Sequence, residues 1–191
     1  MNLSVLDLVD AGLVDRIESA LTECALAPYR LTLEITESSL LVDTPRTMAI
    51  IRRLADAGVR LSLDDFGTGY SSLTYLRQVP ARELKIDRSF VRDLVLDEQD
   101  EVIVRSTIDL GRNLGMEVVA EGVESERVLE RLGYLCCDMV QGSLISSPLS
   151  VDEFPRWLEQ SPYKVRRRSP TSDVIDTPSV LDSPRGSGLP S

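Results

Sequence analysis

The 191-residue sequence contains no histidine and only three cysteines. The absence of histidine excludes, within this chain, any mechanism that needs an imidazole base or a histidine ligand to a metal. The remaining metal chemistry is that of hard ions with oxygen ligands, such as Mg²⁺ or Mn²⁺. Cys24, Cys136 and Cys137 are odd in number and two are adjacent, which is no disulfide framework and favours a reducing compartment.

Long apolar runs and an excess of positive charge are missing as well. No run approaches about 18 apolar residues, so we expect no membrane span. The first residues lack the cationic and apolar regions of a signal peptide, and a cytoplasmic location is therefore expected. Asp and Glu total 31 against 21 Lys and Arg, a net charge of −10. That balance argues against binding a nucleic-acid polymer or an anionic membrane surface.

The composition divides the sequence into a body, residues 1–161, and a tail, residues 162–191. Pro, Ser and Gly make up 12 of the 23 residues from Ser169 to Ser191, and none of the 23 is aromatic. Such a segment cannot bury enough apolar surface to offset its ordering entropy, so we predict a disordered tail. The short basic run that begins at Lys164 is interpreted as a solvated linker.

Short apolar runs alternate with helical patterns through the body. Helical spacing of apolar residues is clear in the segments that begin near Leu13, Asp43, Val102 and Glu126. Alternation without hairpin turns predicts parallel strands joined by right-handed crossovers. The predicted strands are Arg30–Thr36, Val59–Asp64, Glu83–Ile86, Met116–Ala120 and Asp138–Val140.

Each predicted strand carries a polar or charged residue at or just after its carboxyl end. These residues are Glu34, Asp64 with Asp65, Lys85, Glu121 and Gln141. In a parallel α/β barrel the carboxyl ends meet at one mouth, where active sites lie. Any one of them alone would be an ordinary loop or cap residue, but five aligned ends favour a site. Carboxylates gathered around one ammonium predict binding of divalent cations.

Several strings in the sequence resemble those of the EAL-domain cyclic-di-GMP phosphodiesterases. The longest reads Asp-Asp-Phe-Gly-Thr-Gly-Tyr-Ser-Ser-Leu over residues 64–73, and the others occupy residues 33–37, 84–87, 120–124 and 141–142. They occur in the family's order and spacing from residue 2 to about residue 160. The resemblance implies an α/β fold of the (β/α)₈ TIM-barrel type that hydrolyses cyclic-di-GMP to linear pGpG with Mg²⁺ or Mn²⁺.

The resemblance also implies a role for particular residues of this sequence. It implies that Asn2, Glu34 and Asp64 bind one metal, that Asp65 lies at a second, and that Lys85 steadies the attacking water. Glu121 matches the proposed general base or second-metal carboxylate. The supporting group comprises Glu37, which holds the loop with Gly67, Thr68 and Gly69, and Glu124 and Gln141 at the rim.

The match to the family is incomplete. No Glu-Ala-Leu string occurs in the sequence, and Ser143 and Ser147 replace an aromatic and a basic residue of the family pattern. We therefore expect an incomplete barrel without its first strands, and negligible turnover by the truncated chain. Three hypotheses remain open: a longer gene product, a degenerate module that binds cyclic-di-GMP or a protein, and a second chain or homodimer completing the barrel. Without the motifs, the alternative would be an enolase-like barrel.

Overall fold

A computed structural model describes residues 1–42, 44–68 and 76–163. Within these residues, six parallel strands alternate with helices, and each strand pairs with the next along the chain. The strands are β1 (Asn2–Leu3), β2 (Thr32–Thr36), β3 (Arg60–Phe66), β4 (Glu83–Ile86), β5 (Glu117–Ala120) and β6 (Met139–Val140). The helices are α1 (Val5–Leu8), α2 (Leu13–Glu23), α3 (Thr44–Asp56), α4 (Arg88–Arg92), α5 (Glu98–Asn113), α6 (Glu126–Tyr134) and α7 (Phe154–Gln160). Short 3₁₀ helices occupy Pro28–Arg30 and Glu37–Leu41.

The strand order 1-2-3-4-5-6 is that of a barrel wound in one direction, because a doubly wound sheet reverses its order part-way. A complete barrel of this type has eight strands, and in the described part β1 and β6 each pair on one side. The predicted α/β fold of an incomplete (β/α)₈ barrel is thereby confirmed. The predicted strands and the helices near Leu13, Val102 and Glu126 also match, and α3 begins at Thr44, with Pro45 as its second residue.

Period-two alternation separates the two faces of the sheet. Leu33, Ile35, Leu61, Leu63 and Leu84 are buried and contribute to a core that includes residues of α2 and α3. A second cluster around Ile86 and Val118 includes residues of α5 and α6. The positions between these buried residues carry the polar side chains. One face of the sheet therefore packs in the core, and the opposite face carries the candidate active-site residues.

The chain divides into two compact units, Met1–Leu149 and Ser150–Ser191. The described part of the second unit contains α7, in which the rings of Phe154 and Trp157 stack with their centroids 6.0 Å apart. Residues 164–191, most of the predicted disordered tail, lie outside the described residues, and the boundary predicted at residue 161 stays a prediction. None of the described helices is both long enough and apolar enough to cross a bilayer.

Candidate active site at the carboxyl ends of the strands

One buried cation and three carboxylates from neighbouring strands meet at the carboxyl end of the sheet. The Lys85 Nζ atom lies 2.6 Å from Glu121 Oε1, 3.2 Å from Asp64 Oδ1 and 3.3 Å from Glu34 Oε1. The strand register explains why these side chains meet. Thr36, two residues after Glu34, pairs with Asp64, and Lys85 pairs with Val119, two residues before Glu121. The structure thus brings together four of the residues that the sequence placed at strand ends.

The charge of Lys85 is fixed by these neighbours. Its side chain is only 5% exposed, and burial by itself would lower the pKa of the ammonium. The Glu121 and Asp64 carboxylates more than offset burial and raise the pKa of Lys85 above its ordinary value. Lys85 is therefore a fixed positive charge, and it cannot serve as a base near neutral pH.

Asp64, Asp65 and Glu121 form a cluster that can hold a metal ion. Each offers a carboxylate oxygen, and the three oxygens lie within 4.8 Å of one another. Burial raises the pKa of Asp65, and the Asp64 and Asp87 charges raise it further. Burial likewise raises the pKa of Glu121, against the opposing effect of Lys85. A hard divalent cation fits this donor set, because it would relieve the repulsion among partly buried carboxylates.

The turn after β3 holds Asp65 in an unusual backbone conformation. Asp65 has φ +56°, and its N–H donates to Asp64 Oδ1 at 3.1 Å. The Thr68 hydroxyl donates to the Asp65 carbonyl oxygen at 2.9 Å and closes the turn. Gly67 has φ +100°, which a residue with a side chain rarely adopts. The turn therefore presents two consecutive carboxylates, Asp64 and Asp65, at the same mouth.

Glu37 braces this turn from the 3₁₀ helix after β2. Its Oε2 atom accepts a hydrogen bond from the Gly67 N–H at 3.3 Å. The residue is 8% exposed, and among the described residues no group donates to its buried Oε1 atom. The loop-holding role that the resemblance implied for Glu37 stays a prediction. Gly69, assigned to the same loop, lies outside the described residues.

Three other predicted residues lie near the mouth without a contact to Lys85 among the described residues. Asn2 is the register partner of Glu34, so its side chain belongs to the same face of the sheet. Glu124 and Gln141 are exposed, and the main chain of Gln141 joins β6 to Ala120 and Val123. Their proposed roles in metal or rim contacts rest on the sequence motifs alone.

Asp87 is a residue of the site that the sequence analysis did not assign. It caps α4, with its Oδ1 atom accepting from the Ser89 N–H at 2.9 Å, and its charge acts on Asp65. Burial opposes ionisation of Asp87, but the hydrogen bonds from Ser89 outweigh it and lower the pKa of Asp87. The position of Asp87 directly after β4 could have indicated this residue, but Lys85 was already assigned as the polar residue of that strand.

The sequence profile described as EAL domain matches residues 1–148. The chain belongs to the EAL domain family. Two curated relatives, both from Pseudomonas aeruginosa, illustrate how far this EAL domain extends. It is 46% identical over 153 residues to the bifunctional diguanylate cyclase/cyclic di-GMP phosphodiesterase MucR, covering 80% of this chain and 22% of that protein. It is 43% identical over 159 residues to the cyclic di-GMP phosphodiesterase NbdA, covering 82% of this chain and 20% of that protein. The chain thus spans about a fifth of the length of these relatives.

Solved EAL domains superpose well on the chain. The MucR phosphodiesterase in complex with c-di-GMP has a TM-score of 0.77 and 46% identity, with coverage of 80% of this chain and 62% of that one. The EAL domain of Mycobacterium smegmatis DcpA has a TM-score of 0.78 and 39% identity, with coverage of 84% and 72%. The likeness includes both sequence and fold, and it supports the assignment of the strands to a barrel.

Proposed function

We propose that this chain carries the cyclic-di-GMP site of an EAL phosphodiesterase, which hydrolyses one phosphodiester of cyclic-di-GMP to give linear pGpG. The observation that carries the proposal is the convergence of Glu34, Asp64 and Glu121 on Lys85 at the mouth of the sheet. It is supported by the relatives named above, which are described as cyclic di-GMP phosphodiesterases, and by the structure of MucR in complex with c-di-GMP.

The reaction adds water across one phosphorus–oxygen bond, leaving a 5′-phosphate and a free 3′-hydroxyl. Divalent cations, when bound, neutralise charge on the phosphate and acidify the attacking water. We assign Asn2, Glu34 and Asp64 to one Mg²⁺ or Mn²⁺ and Asp65 to a second, to which Glu121 would also belong if it is not the general base. Their oxygen ligands suit both ions. Bound cations would let a chain with a net charge of −10 bind an anionic dinucleotide, because they would neutralise charge on both partners.

Lys85 and Glu121 have complementary parts in this scheme. Lys85, which stays protonated, would orient the attacking water and offset negative charge that builds on the phosphate. For Glu121 two alternatives stay open, a base that would accept the proton of that water and a carboxylate ligand of the second metal. Without metal, an ion pair of 2.6 Å joins the two side chains.

The loop and rim residues have a positioning part. Glu37 and Thr68 hold the turn that carries Asp65: Glu37 accepts a hydrogen bond from the Gly67 N–H, and the Thr68 hydroxyl donates to the Asp65 carbonyl oxygen. Gly69, Glu124 and Gln141 are proposed to support substrate contacts on the strength of the motifs alone.

Residues 1–191 by themselves are expected to turn over cyclic-di-GMP negligibly, because the sequence supplies no Glu-Ala-Leu glutamate. A second candidate function is therefore a module in cyclic-di-GMP signalling that binds the nucleotide or a protein without hydrolysis. The departure of Ser143 and Ser147 from the aromatic and basic residues of the family pattern favours it, since those residues would contact the nucleotide. In either case we expect a cytoplasmic site of action.

The experiment is calorimetry of the chain with cyclic-di-GMP in Ca²⁺, paired with chromatography of the nucleotide after incubation in Mn²⁺. We expect binding that Asp64→Asn abolishes and that Glu83→Gln, at the other end of the strands, preserves. A silent titration of the wild-type chain contradicts the proposed site. Release of pGpG by the wild-type chain, absent in Glu121→Gln, confirms an enzyme and overturns the expected inactivity.

A further inference from the structure

Lys85 lies where a cation is needed even when no metal is bound. Its ammonium group has three N–H donors, and three carboxylate oxygens surround it at 2.6, 3.2 and 3.3 Å. Among the described residues, every ion pair made by Glu34, Asp64 and Glu121 is with Lys85. Without it, three partly buried carboxylates would face one another without compensation, which is strongly unfavourable.

The carboxylates that Lys85 neutralises are also the ones that can hold a metal. Asp64 and Glu121 belong both to the group around Lys85 and to the cluster of carboxylate oxygens within 4.8 Å of one another. A divalent ion on this cluster would bring two positive charges next to the buried ammonium. The two cations repel and share ligands, so each must weaken the hold of the other.

From these contacts we infer that Lys85 is the built-in counter-cation of the metal-free site and competes with divalent metal for Asp64 and Glu121. This inference rests on the proposed metal-dependent function and adds to it a regulatory property. Lys85 stabilises the metal-free chain, whereas metal binding weakens the contacts of Lys85 with Asp64 and Glu121. The affinity of the site for metal is therefore lower than that of the same carboxylates without Lys85. As a result, the fraction of sites that hold a metal varies with the concentration of the ion.

The test compares the wild-type chain with Lys85→Met, which removes the charge and keeps a long side chain. Arg60→Met is the matched control, since Arg60 pairs with Glu117 at the opposite end of the sheet with both side chains about half exposed. In calorimetry with Mg²⁺ alone, Lys85→Met is expected to bind about tenfold more tightly than wild type, a typical coupling between two linked sites. Its melting temperature is expected to fall in EDTA and to rise more than that of wild type when Mg²⁺ is added. Arg60→Met is expected to bind Mg²⁺ as wild type does.

A folded Lys85→Met chain that binds Mg²⁺ as tightly as wild type, or more weakly, contradicts the inference that Lys85 competes with the metal. Failure of all three proteins to bind Mg²⁺ contradicts the proposed function itself, and the two failures are thus told apart.

A second measurement uses the wild-type chain and does not depend on the folding of Lys85→Met. Lys85 and Lys164 are the only lysines in the sequence, so lysine-labelled protein gives two side-chain nitrogen signals, assigned with Lys164→Arg. The Lys85 signal is expected to shift as Mg²⁺ saturates the site, because its carboxylate contacts change. A Lys85 signal that stays in place while calorimetry records Mg²⁺ binding contradicts the inference.

Discussion

The two ends of the sheet carry charged side chains on the same face, but the charges are arranged differently. At the amino end, charges and polar groups are matched in pairs: Arg60 with Glu117 at 3.4 Å, and Ser62 donating to Glu83 at 2.7 Å. At the carboxyl end one ammonium meets three carboxylates, and Asp65 lies beside them. Matched pairs need nothing further, whereas the excess of negative charge at the carboxyl end is suited to bound cations. The excess is three negative charges at the carboxyl end and one at the amino end, where Glu83 pairs with the neutral Ser62. We call the amino end the balanced end, because each of these charged side chains has one partner there, and the carboxyl end the unbalanced end.

The largest expected effect comes from removing a carboxylate at the unbalanced end. Asp64→Asn takes away a metal ligand and one partner of Lys85, and we expect Mg²⁺ affinity to fall at least about 100-fold. Glu83→Gln removes a negative charge at the balanced end and should leave Mg²⁺ affinity unchanged. Calorimetry on both variants measures the contrast, and an equal loss of affinity in both would remove the distinction between the two ends.

A smaller effect is expected from the tight backbone packing at the carboxyl end. A Cβ on Gly142, just after β6, would lie 2.1 Å from the Val123 carbonyl oxygen, and backbone cannot easily give way. We expect Gly142→Ala to lower the free energy of unfolding by about 2–3 kcal/mol, as overpacking does.

Gly133→Ala is the matched control for this substitution, since Gly133 lies in α6 and a Cβ there meets nothing within 4 Å. It should be neutral or stabilise the chain by up to about 1 kcal/mol, because alanine favours a helix. Urea unfolding of the two variants and wild type measures the differences in their free energies of unfolding. Equal stability of Gly142→Ala and wild type would mean that the approach of Gly142 to Val123 is looser than described.

The smallest effect is expected at the balanced end. Arg60→Met breaks an exposed ion pair with Glu117, and such pairs contribute at most about 0.5 kcal/mol, less at high salt. The same urea experiment in low and high salt measures it. A loss of stability approaching that of Gly142→Ala would show that the amino end depends on its charges as strongly as the carboxyl end does.

Much of the fold and of the charge cluster could be predicted from the sequence. Short apolar runs predicted β2 to β6 because alternating burial and strand length leave a clear pattern. Parallel order then places strand-end residues such as Glu34 and Asp64 at one mouth. The sequence could not predict the left-handed conformation of Asp65 or the buried oxygen of Glu37, because both depend on how the turn after β3 packs. Asp87 was missed because Lys85 already supplied the polar residue of β4 and because an aspartate before a helix is normally only a cap. The short α7 was not predicted, since seven residues give too little periodicity.

The most direct test of the central claim is anomalous diffraction from crystals of the chain soaked in Mn²⁺. We predict an anomalous peak among the carboxylates of Asp64, Asp65 and Glu121, absent from crystals of Asp64→Asn. A peak at the Arg60–Glu117 end alone, or none at the carboxyl end under saturating Mn²⁺, would contradict it.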